Sequence, residues 1–133
     1  FDEDAPGYRT LAELLELRRA RLALRRGRQY LREISGNGVD FGVPTMIGGR
    51  LKSVVPWSRL FNGGEILCAI NTDSAQSRTA WVTVDNDLHR AGDQMNCLYS
   101  TDPGQVGTEV TVQARNGKAV LVTVAPGGVI VLE

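Results

Sequence analysis

The sequence changes character at Gly27. Residues 10–26 are rich in leucine and arginine and contain neither glycine nor proline, whereas 14 of the 15 glycines lie from Gly27 onward. After Gly27 the hydrophobic residues alternate with a period of two. The first segment predicts one α-helix and the second predicts a series of β-strands. Because one helix cannot bury its own apolar side, we expect this helix to have a partner elsewhere and the chain to be a piece of a larger protein.

The predicted helix has a start signal and an apolar side. Thr10 and Glu13 have the spacing of a capping box, which places the helix start at Thr10. Residues 1–8 before the helix form an acidic segment that also contains a proline and a glycine, and we expect this segment to be an extended lead-in. One side of the helical wheel carries leucines, the last of them at its margin: Leu11, Leu14, Leu15 and Leu17.

Two arginines interrupt this leucine side. Arg18 and Arg21 fall among the leucines on the helical wheel. Regular helix is therefore expected to fade near residues 19–21, because a charged side chain opposes burial of that side. The alternative is that the helix continues to Gly27, which would then act as its C-terminal stop.

Arginine is concentrated around this helix although the chain as a whole is neutral. Residues 9–32 hold eight arginines and two glutamates, while the full chain has 15 basic and 15 acidic residues. The overall charge thus favours neither nucleic acid nor a membrane as partner, and no apolar run approaches the ~20 residues of a membrane helix. We interpret the local excess as a solvated helix face and an ion-paired junction. Docking of an acidic protein or a nucleic acid to this Arg-rich helix is the alternative.

The remainder of the chain has the spacing of an all-β domain. Short apolar or alternating runs are separated by turn signals such as Asn62-Gly63-Gly64 and Asn116-Gly117. The gap over residues 36–52 is rich in glycine and is expected to be a loop with room for one short strand. The predicted fold is mainly β: an antiparallel Greek-key β-sandwich preceded by one N-terminal α-helix. Its strands are predicted at residues 29–35, 53–61, 65–71, 79–85, 95–101, 109–114, 119–124 and 129–132.

No arrangement of residues predicts a catalytic, metal or cofactor site. His89 is the only histidine and is interpreted as a turn or surface residue. Asp85-Asn86-Asp87 lacks the ligand spacing of a calcium loop and is interpreted as turn chemistry. Cys68 and Cys97 lie in apolar runs and are expected to be buried thiols, with a disulfide left open. Trp57 and Trp81 are expected to pack in a core or an interface, and a sugar platform is the alternative for either.

The order of several motifs resembles the C-terminal end of α-amylase-type glycoside hydrolases. Leu24-Arg25-Arg26-Gly27 joins the helix to a strand, and Trp57-Ser58-Arg59-Leu60-Phe61 leads through a glycine turn to a strand that ends in Asn71-Thr72-Asp73. The Asn116-Gly117 hairpin and Pro126-Gly127-Gly128 follow before a last strand. The resemblance implies that residues 1–26 are the lead-in and last helix of a missing (β/α)8 barrel. It implies that residues 27–133 are the C-terminal β-sandwich called domain C.

The same resemblance implies a function for the fragment. The catalytic carboxylates of that family lie on barrel strands that would precede Phe1, so no catalytic residue, metal ligand or cofactor is assigned here. The expected role is to stabilise the barrel of the same polypeptide and to contact α-glucan weakly, with no nucleic-acid or membrane partner. Without the barrel, the helix is expected to fold back or to form a dimer through Leu11, Leu14, Leu15 and Leu17. The alternatives are an autonomous glycan-binding module and a protein-interaction module that uses the Arg-rich helix.

Overall fold

The computed structural model describes residues 6–44 and 46–133, with the side chains of residues 12–21, 23–44 and 48–133. Two helices, α1 (Pro6–Ala20) and α2 (Leu22–Arg26), precede twelve strands and one short 3₁₀ helix at Pro103–Gln105. The strands are β1 (Arg28–Leu31), β2 (Ile34–Ser35), β3 (Met46–Ile47), β4 (Arg50–Leu51), β5 (Val54–Phe61), β6 (Gly64–Asn71), β7 (Arg78–Thr83), β8 (Gln94–Ser100), β9 (Glu109–Thr111), β10 (Gln113–Ala114), β11 (Lys118–Val124) and β12 (Val129–Leu132).

The helical segment starts earlier than predicted and breaks where the arginines interrupt it. α1 begins at Pro6, so the predicted start at Thr10 is wrong, and residues 6–8 of the expected lead-in are helical. Proline suits the first turn because its φ is already helical and no N–H is needed there. Arg21 adopts extended backbone angles between α1 and α2, and the helix then resumes as far as Arg26. The expected interruption thus lies at Arg21. The helix that resumes after it ends before Gly27, as the alternative predicted.

Ten of the twelve strands form two antiparallel sheets, and β3 and β4 pair with each other. Sheet A has the order β1-β5-β6-β12-β8-β9, and sheet B has the order β10-β11-β7-β2. Alternating side chains from both sheets meet in one apolar core. The most buried of these include Val54, Leu67, Val82, Met95, Val120, Val122 and Leu132. The prediction of a mainly β sandwich with an N-terminal helical segment is confirmed.

Two predicted strands are each divided between the sheets. The run over residues 29–35 supplies β1 to sheet A and β2 to sheet B, and the run over residues 109–114 supplies β9 and β10 in the same way. Val112, at the second crossing, is fully buried and fills the corner. The loop over residues 36–52 contains a hairpin of two short strands, β3 and β4, where the sequence predicted room for one. Strands that change sheets at corners are common in sandwiches, and a local pattern does not mark them.

The two cysteines lie on opposite faces of sheet A and are both free thiols. Cys97 belongs to the core between the sheets. Cys68 belongs to a second apolar cluster on the outer face, beneath the helices. Burial raises the pKa of the Cys68 thiol to about 11, with the nearby charge of Arg59 acting in the opposite direction. The disulfide that the sequence left open is therefore not formed.

Gly27 allows the helical segment to approach sheet A closely. Its φ of −67° is ordinary, so the glycine is needed for space and not for a left-handed backbone. A Cβ at this position would lie 2.3 Å from the carbonyl oxygen of Ala23 and 3.0 Å from that of Leu60. Gly27→Ala is expected to lower the free energy of unfolding by about 1–3 kcal/mol, because backbone atoms must move apart. Urea unfolding followed by tryptophan fluorescence measures the change.

Gly36→Ala is the matched control for this substitution. Nothing lies within 4 Å of the Cβ that would be added at Gly36. The free energy of unfolding of Gly36→Ala should stay level or rise by at most about 0.4–1 kcal/mol, because alanine restricts the unfolded chain. Equal losses in the two variants would contradict the close approach at Gly27.

Candidate interaction surface

The helical segment packs on the outer face of sheet A. The second apolar cluster has Ile66, Cys68, Tyr99 and Val131 as its buried members. Leu14 and Leu17 of α1 and Leu24 of α2 pack against this cluster, together with Trp57 and other partly buried residues. The apolar side of the helix thus finds a partner within the described chain. No described helix is both long and apolar enough to span a bilayer.

The packing leaves part of the helix uncovered. Leu15 is 51% exposed, so it faces away from the sheet that Leu14 and Leu17 contact. The side chain of Leu11 lies outside the described residues. At the helix break, Arg21 Nε donates to Glu133 Oε2 over 2.7 Å, which joins this segment to the last residue of the chain. Both of these side chains remain partly exposed, so their ion pair contributes little, on the order of 0–1 kcal/mol.

One flank of α1 is an apolar groove with arginines in its wall, here called the cationic groove. It is a cavity of about 300 Å³ between the helices and sheet A. Arg18 and Arg59 are its charged residues, and the others are apolar: Leu14, Leu17, Leu24, Trp57, Cys68, Ile70, Val129 and Val131. Arg59 Nη1 donates to Gln29 Oε1 over 3.2 Å. Its Nε is buried and has no hydrogen-bond partner among the described residues.

The other flank of α1 is a larger groove with carboxylates, here called the acidic groove. Its cavity measures about 640 Å³. Glu13 and Glu16 supply the negative charge, and the remaining residues are Leu17, Ala20, Leu98, Tyr99, Ser100, Pro103 and Val106. The helix therefore separates two open, mainly apolar grooves, of which one is lined by arginines and the other by glutamates. A surface of this kind, with Leu15 at its crest, is suited to contact another protein surface.

A buried ionic cluster lies at one end of the sandwich. The Glu65 carboxylate has no exposed surface, and Arg32 Nη2 donates to its Oε2 over 2.7 Å. Its Oε1 accepts from the backbone N–H of Asp85 and pairs with His89 Nε2 over 2.7 Å. Arg32 Nε also donates to Ser58 Oγ. This cluster joins the loop after β7 to sheet A, and His89 is therefore a largely buried partner of Glu65 and not a surface residue.

The ionisation of Glu65 is strongly stabilised in this cluster. Burial alone would raise the pKa of Glu65, but the hydrogen bonds from His89, Ser58 and the Asp85 N–H, together with the charge of Arg32, outweigh it and lower that pKa to about 2. A carboxylate with such a low pKa is a poor general acid. The contacts of this carboxylate instead link β6 to the loop after β7 and to Arg32.

The tryptophan of sheet B packs beneath a loop. The Arg115 guanidinium lies 4.5 Å from the centre of the Trp81 ring. Gly38 covers another part of the ring, since a Cβ there would lie 3.0 Å from Trp81 Nε1. Asn116 Nδ2 donates to the Val39 carbonyl and holds the same loop in place. Trp81 is therefore covered by residues of its own chain and is not an open platform.

The Asp85-Asn86-Asp87 segment forms a turn, as predicted. Asp85 Oδ1 accepts hydrogen bonds from the backbone N–H groups of Asp87 and Leu88, each over 2.9 Å. Within the described residues, no group of three or more potential ligands gathers for a metal ion. The Asp85 carboxylate therefore satisfies the backbone of its own turn.

Residues 9–32 hold many arginines, and most of those with described side chains are solvated, as the sequence predicted. Exposed members of this set are Arg18, Arg19, Arg25, Arg26 and Arg28. Arg21 and Arg32 are ion-paired instead, with Glu133 and Glu65 respectively. Sequence analysis missed both the buried ionic cluster and the partial burial of Arg59. The signal for the cluster was one charged residue, Glu65, at the head of an otherwise apolar strand.

Comparison with known proteins relates this fold to two enzymes. A debranching enzyme from Nostoc punctiforme aligns with 94% of this chain and 21% of its own, at 19% identity and a TM-score of 0.59. An α-amylase from H. orenii aligns with 95% of this chain and 20% of its own, at 17% identity and a TM-score of 0.53. No protein-family model and no curated protein matches the sequence. The chain spans about a fifth of either enzyme, and its resemblance to α-amylase-type proteins is confirmed at the level of the fold.

Proposed function

We propose that this chain is a non-catalytic β-sandwich domain, with Greek-key connectivity, of an α-glucan-active glycoside hydrolase. In this proposal residues 1–26 are the lead-in and last helix of a (β/α)8 barrel, and residues 27–133 are the domain that follows it. The domain stabilises the barrel and so serves carbohydrate metabolism without taking part in the chemistry. The fold that it shares with parts of a debranching enzyme and an α-amylase supports this proposal.

The presence of apolar residues on two sides of α1 is the observation that carries the proposal. Leu14 and Leu17 contact sheet A, while Leu15 is exposed at the crest between the two grooves. A helix with apolar residues on more than one side is suited to lie between two bodies. One body is the sandwich, and the proposed second body is the barrel, which would cover Leu15.

The coding sequence upstream of Phe1 provides the first test. A preceding (β/α)8 barrel with its catalytic carboxylates supports the proposal, and an unrelated preceding domain contradicts it. The 133-residue protein should also release no reducing sugar from soluble starch or pullulan.

The docking surface is tested in the longer polypeptide by Leu15→Glu. Burying one leucine contributes about 1.5–3 kcal/mol, so its loss should shorten the half-life of the enzyme's activity at elevated temperature about tenfold or more while KM stays level. Leu121→Glu is the matched control, because it makes the same change at a leucine that is 46% exposed on β11 of sheet B, whereas the helices pack on sheet A. Equal half-lives in the two variants would contradict docking through Leu15.

Weak contact with α-glucan is the second proposed activity. Trp57 is its candidate residue, because it lines the cationic groove and is only partly buried, whereas Trp81 is covered by Arg115 and Gly38. Titration with maltoheptaose should change the tryptophan fluorescence of the protein but not that of Trp57→Phe. Unchanged fluorescence in the unmodified protein would contradict sugar contact.

A further inference from the structure

Helix α1 touches sheet A along one narrow strip. Among its described side chains, Leu14 and Leu17 are the ones that pack against the apolar cluster on the outer face of the sheet, and both stay partly exposed. Leu17 lines the cationic groove and the acidic groove, so an open cavity lies on either side of this strip. Atoms that face a cavity lose dispersion contacts there. The packing of α1 on the sheet is therefore weak for a helix of 15 residues.

Helix α2 is fixed to the same sheet by the strand that follows it. Gly27 ends α2, and the next residue, Arg28, already pairs with Leu60 of β5. The Gly27 backbone is so close to β5 that an added Cβ would lie 3.0 Å from the Leu60 carbonyl oxygen. Movement of α2 therefore requires the β1–β5 ladder to open, whereas α1 is joined to α2 through Arg21 alone.

Arg21 has the properties of a pivot between the two helices. Its backbone is extended, with a φ of −120° and a ψ of 112°, and its side chain does not cap α2. The side chain donates instead to Glu133, whose backbone N–H and carbonyl are both hydrogen-bonded to Asn96 of β8. Hinges are commonly single residues at the end of an element that absorb a change in φ and ψ. This one stays attached to the sandwich by its own side chain.

We propose that α1 is a reversible strap over the outer face of sheet A, which swings away at Arg21 while α2 and both sheets keep their structure. Opening exposes the apolar cluster that contains Cys68 and Tyr99, a surface that the closed strap covers. A helix of this length is marginally stable in water without a partner, so the open strap also loses its helical hydrogen bonds.

The strap is independent of the proposed function. It follows from contacts within the described chain and is measured on the 133-residue protein alone, so its failure leaves the barrel proposal untouched. In the longer polypeptide, Arg21 and not Gly27 would be the joint at which the sandwich turns against the barrel. Only this consequence rests on the proposed function.

The two cysteines distinguish opening of the strap from global unfolding. Cys68 lies beneath the helices, and Cys97 lies in the core between the sheets. A bulky thiol reagent should label Cys68 at least about a hundredfold faster than Cys97, because local opening costs less free energy than global unfolding. The Cys68 rate should rise with urea, but less steeply than the Cys97 rate, because less surface is exposed. Equal rates with equal urea dependence would overturn the proposal, and so would a Cys68 rate that urea does not change.

Three alanine variants locate the opening that labels each cysteine. Leu17→Ala should raise the Cys68 rate about tenfold, because part of the burial of a leucine is lost. Leu15→Ala is its matched control on the exposed side of α1 and should leave that rate level. Val120→Ala makes a cavity between the sheets, which stay folded when the strap opens, so it should raise the Cys97 rate about tenfold and not the Cys68 rate. Equal effects of the two leucine variants, or an equal effect of Val120→Ala on both cysteines, would contradict the strap.

Amide hydrogen exchange measures where the pivot lies. The N–H groups in the second half of α1 should exchange through the same opening that labels Cys68, with the same response to Leu17→Ala. The Gly27 N–H, which donates to the Ala23 carbonyl over 2.8 Å, should exchange at least about tenfold more slowly, because α2 stays in place. Exchange of the Gly27 N–H together with α1 would place the pivot after α2 and overturn the assignment to Arg21.

Discussion

Glu65→Gln is expected to lower the free energy of unfolding by about 3–5 kcal/mol, the cost of removing one partner from a buried ion pair. Glutamine keeps the shape of the side chain but not its charge. Arg32, whose side chain is only 15% exposed, would then lack the carboxylate that receives its Nη2 donor. Because small domains are stable by only about 5–15 kcal/mol, this one change should remove a large part of the total.

The cluster has a matched control on the protein surface. Glu16 pairs with Arg19 over 3.5 Å, and their side chains are 73% and 77% exposed. Glu16→Gln should therefore change the free energy of unfolding by less than about 1 kcal/mol. Urea unfolding of the three proteins at pH 7 makes the comparison. Similar losses of stability in Glu65→Gln and Glu16→Gln would show that Glu65 is not a buried anion.

Replacing both partners separates the ion pair from the packing around it. The double variant Arg32→Met with Glu65→Leu leaves neither charge buried alone, and should cost less than Glu65→Gln. A double variant at least as unstable as the single one would indicate that His89 and the Asp85 N–H, which also bond Glu65, carry most of the effect.

The sequence predicts the local features of this fold well because they depend on near neighbours. Asn116 and Gly117 both adopt positive φ, of 51° and 110°, as the hairpin signal requires. The switch at Gly27 separates helix from strand correctly. By contrast, the helix start at Thr10 is wrong because Pro6 already has the backbone geometry of a first helical residue.

Features that depend on distant residues escape a sequence-based prediction. Arg32 and Glu65 are 33 residues apart, and no local pattern connects them. The division of residues 29–35 between two sheets is decided by which partner each half meets, β5 or β7. The alternation along β5 does place Trp57 and Arg59 on the same face, but it does not show that α1 covers that face. The groove is therefore visible only in the folded chain.

Acid should destabilise this protein in a pH range set by Glu65. The pKa of Glu65 is about 2 in the folded protein and 4.5 as the ordinary value. Because the folded pKa is the lower one, the unfolded chain binds the proton first as the pH falls. The stabilising contribution of Glu65 is thus complete above about pH 5, declines from pH 4.5 downward and is lost near pH 2.

The size of this effect follows from the difference between the two pKa values. One pKa unit corresponds to about 1.4 kcal/mol, so Glu65 should account for about 3 kcal/mol between pH 5 and pH 2. Asp73 adds to the same trend, because hydrogen bonds from the Ala75 N–H and from Arg78 lower the pKa of its carboxyl group. Acid sensitivity should therefore be strong in the unmodified protein.

Glu65→Gln supplies the test, since glutamine does not titrate. Urea unfolding between pH 2.5 and pH 7, followed by tryptophan fluorescence, should show a steep loss of stability below pH 4.5 in the unmodified protein. The free energy of unfolding of the variant is lower at pH 7 and should decrease less as the pH falls. Asp73 should account for part of the decrease that remains. The two curves should thus converge in acid. Parallel curves would mean that the Glu65 carboxyl has the same pKa in the folded and unfolded chain, which the hydrogen bonds to its two oxygens do not allow.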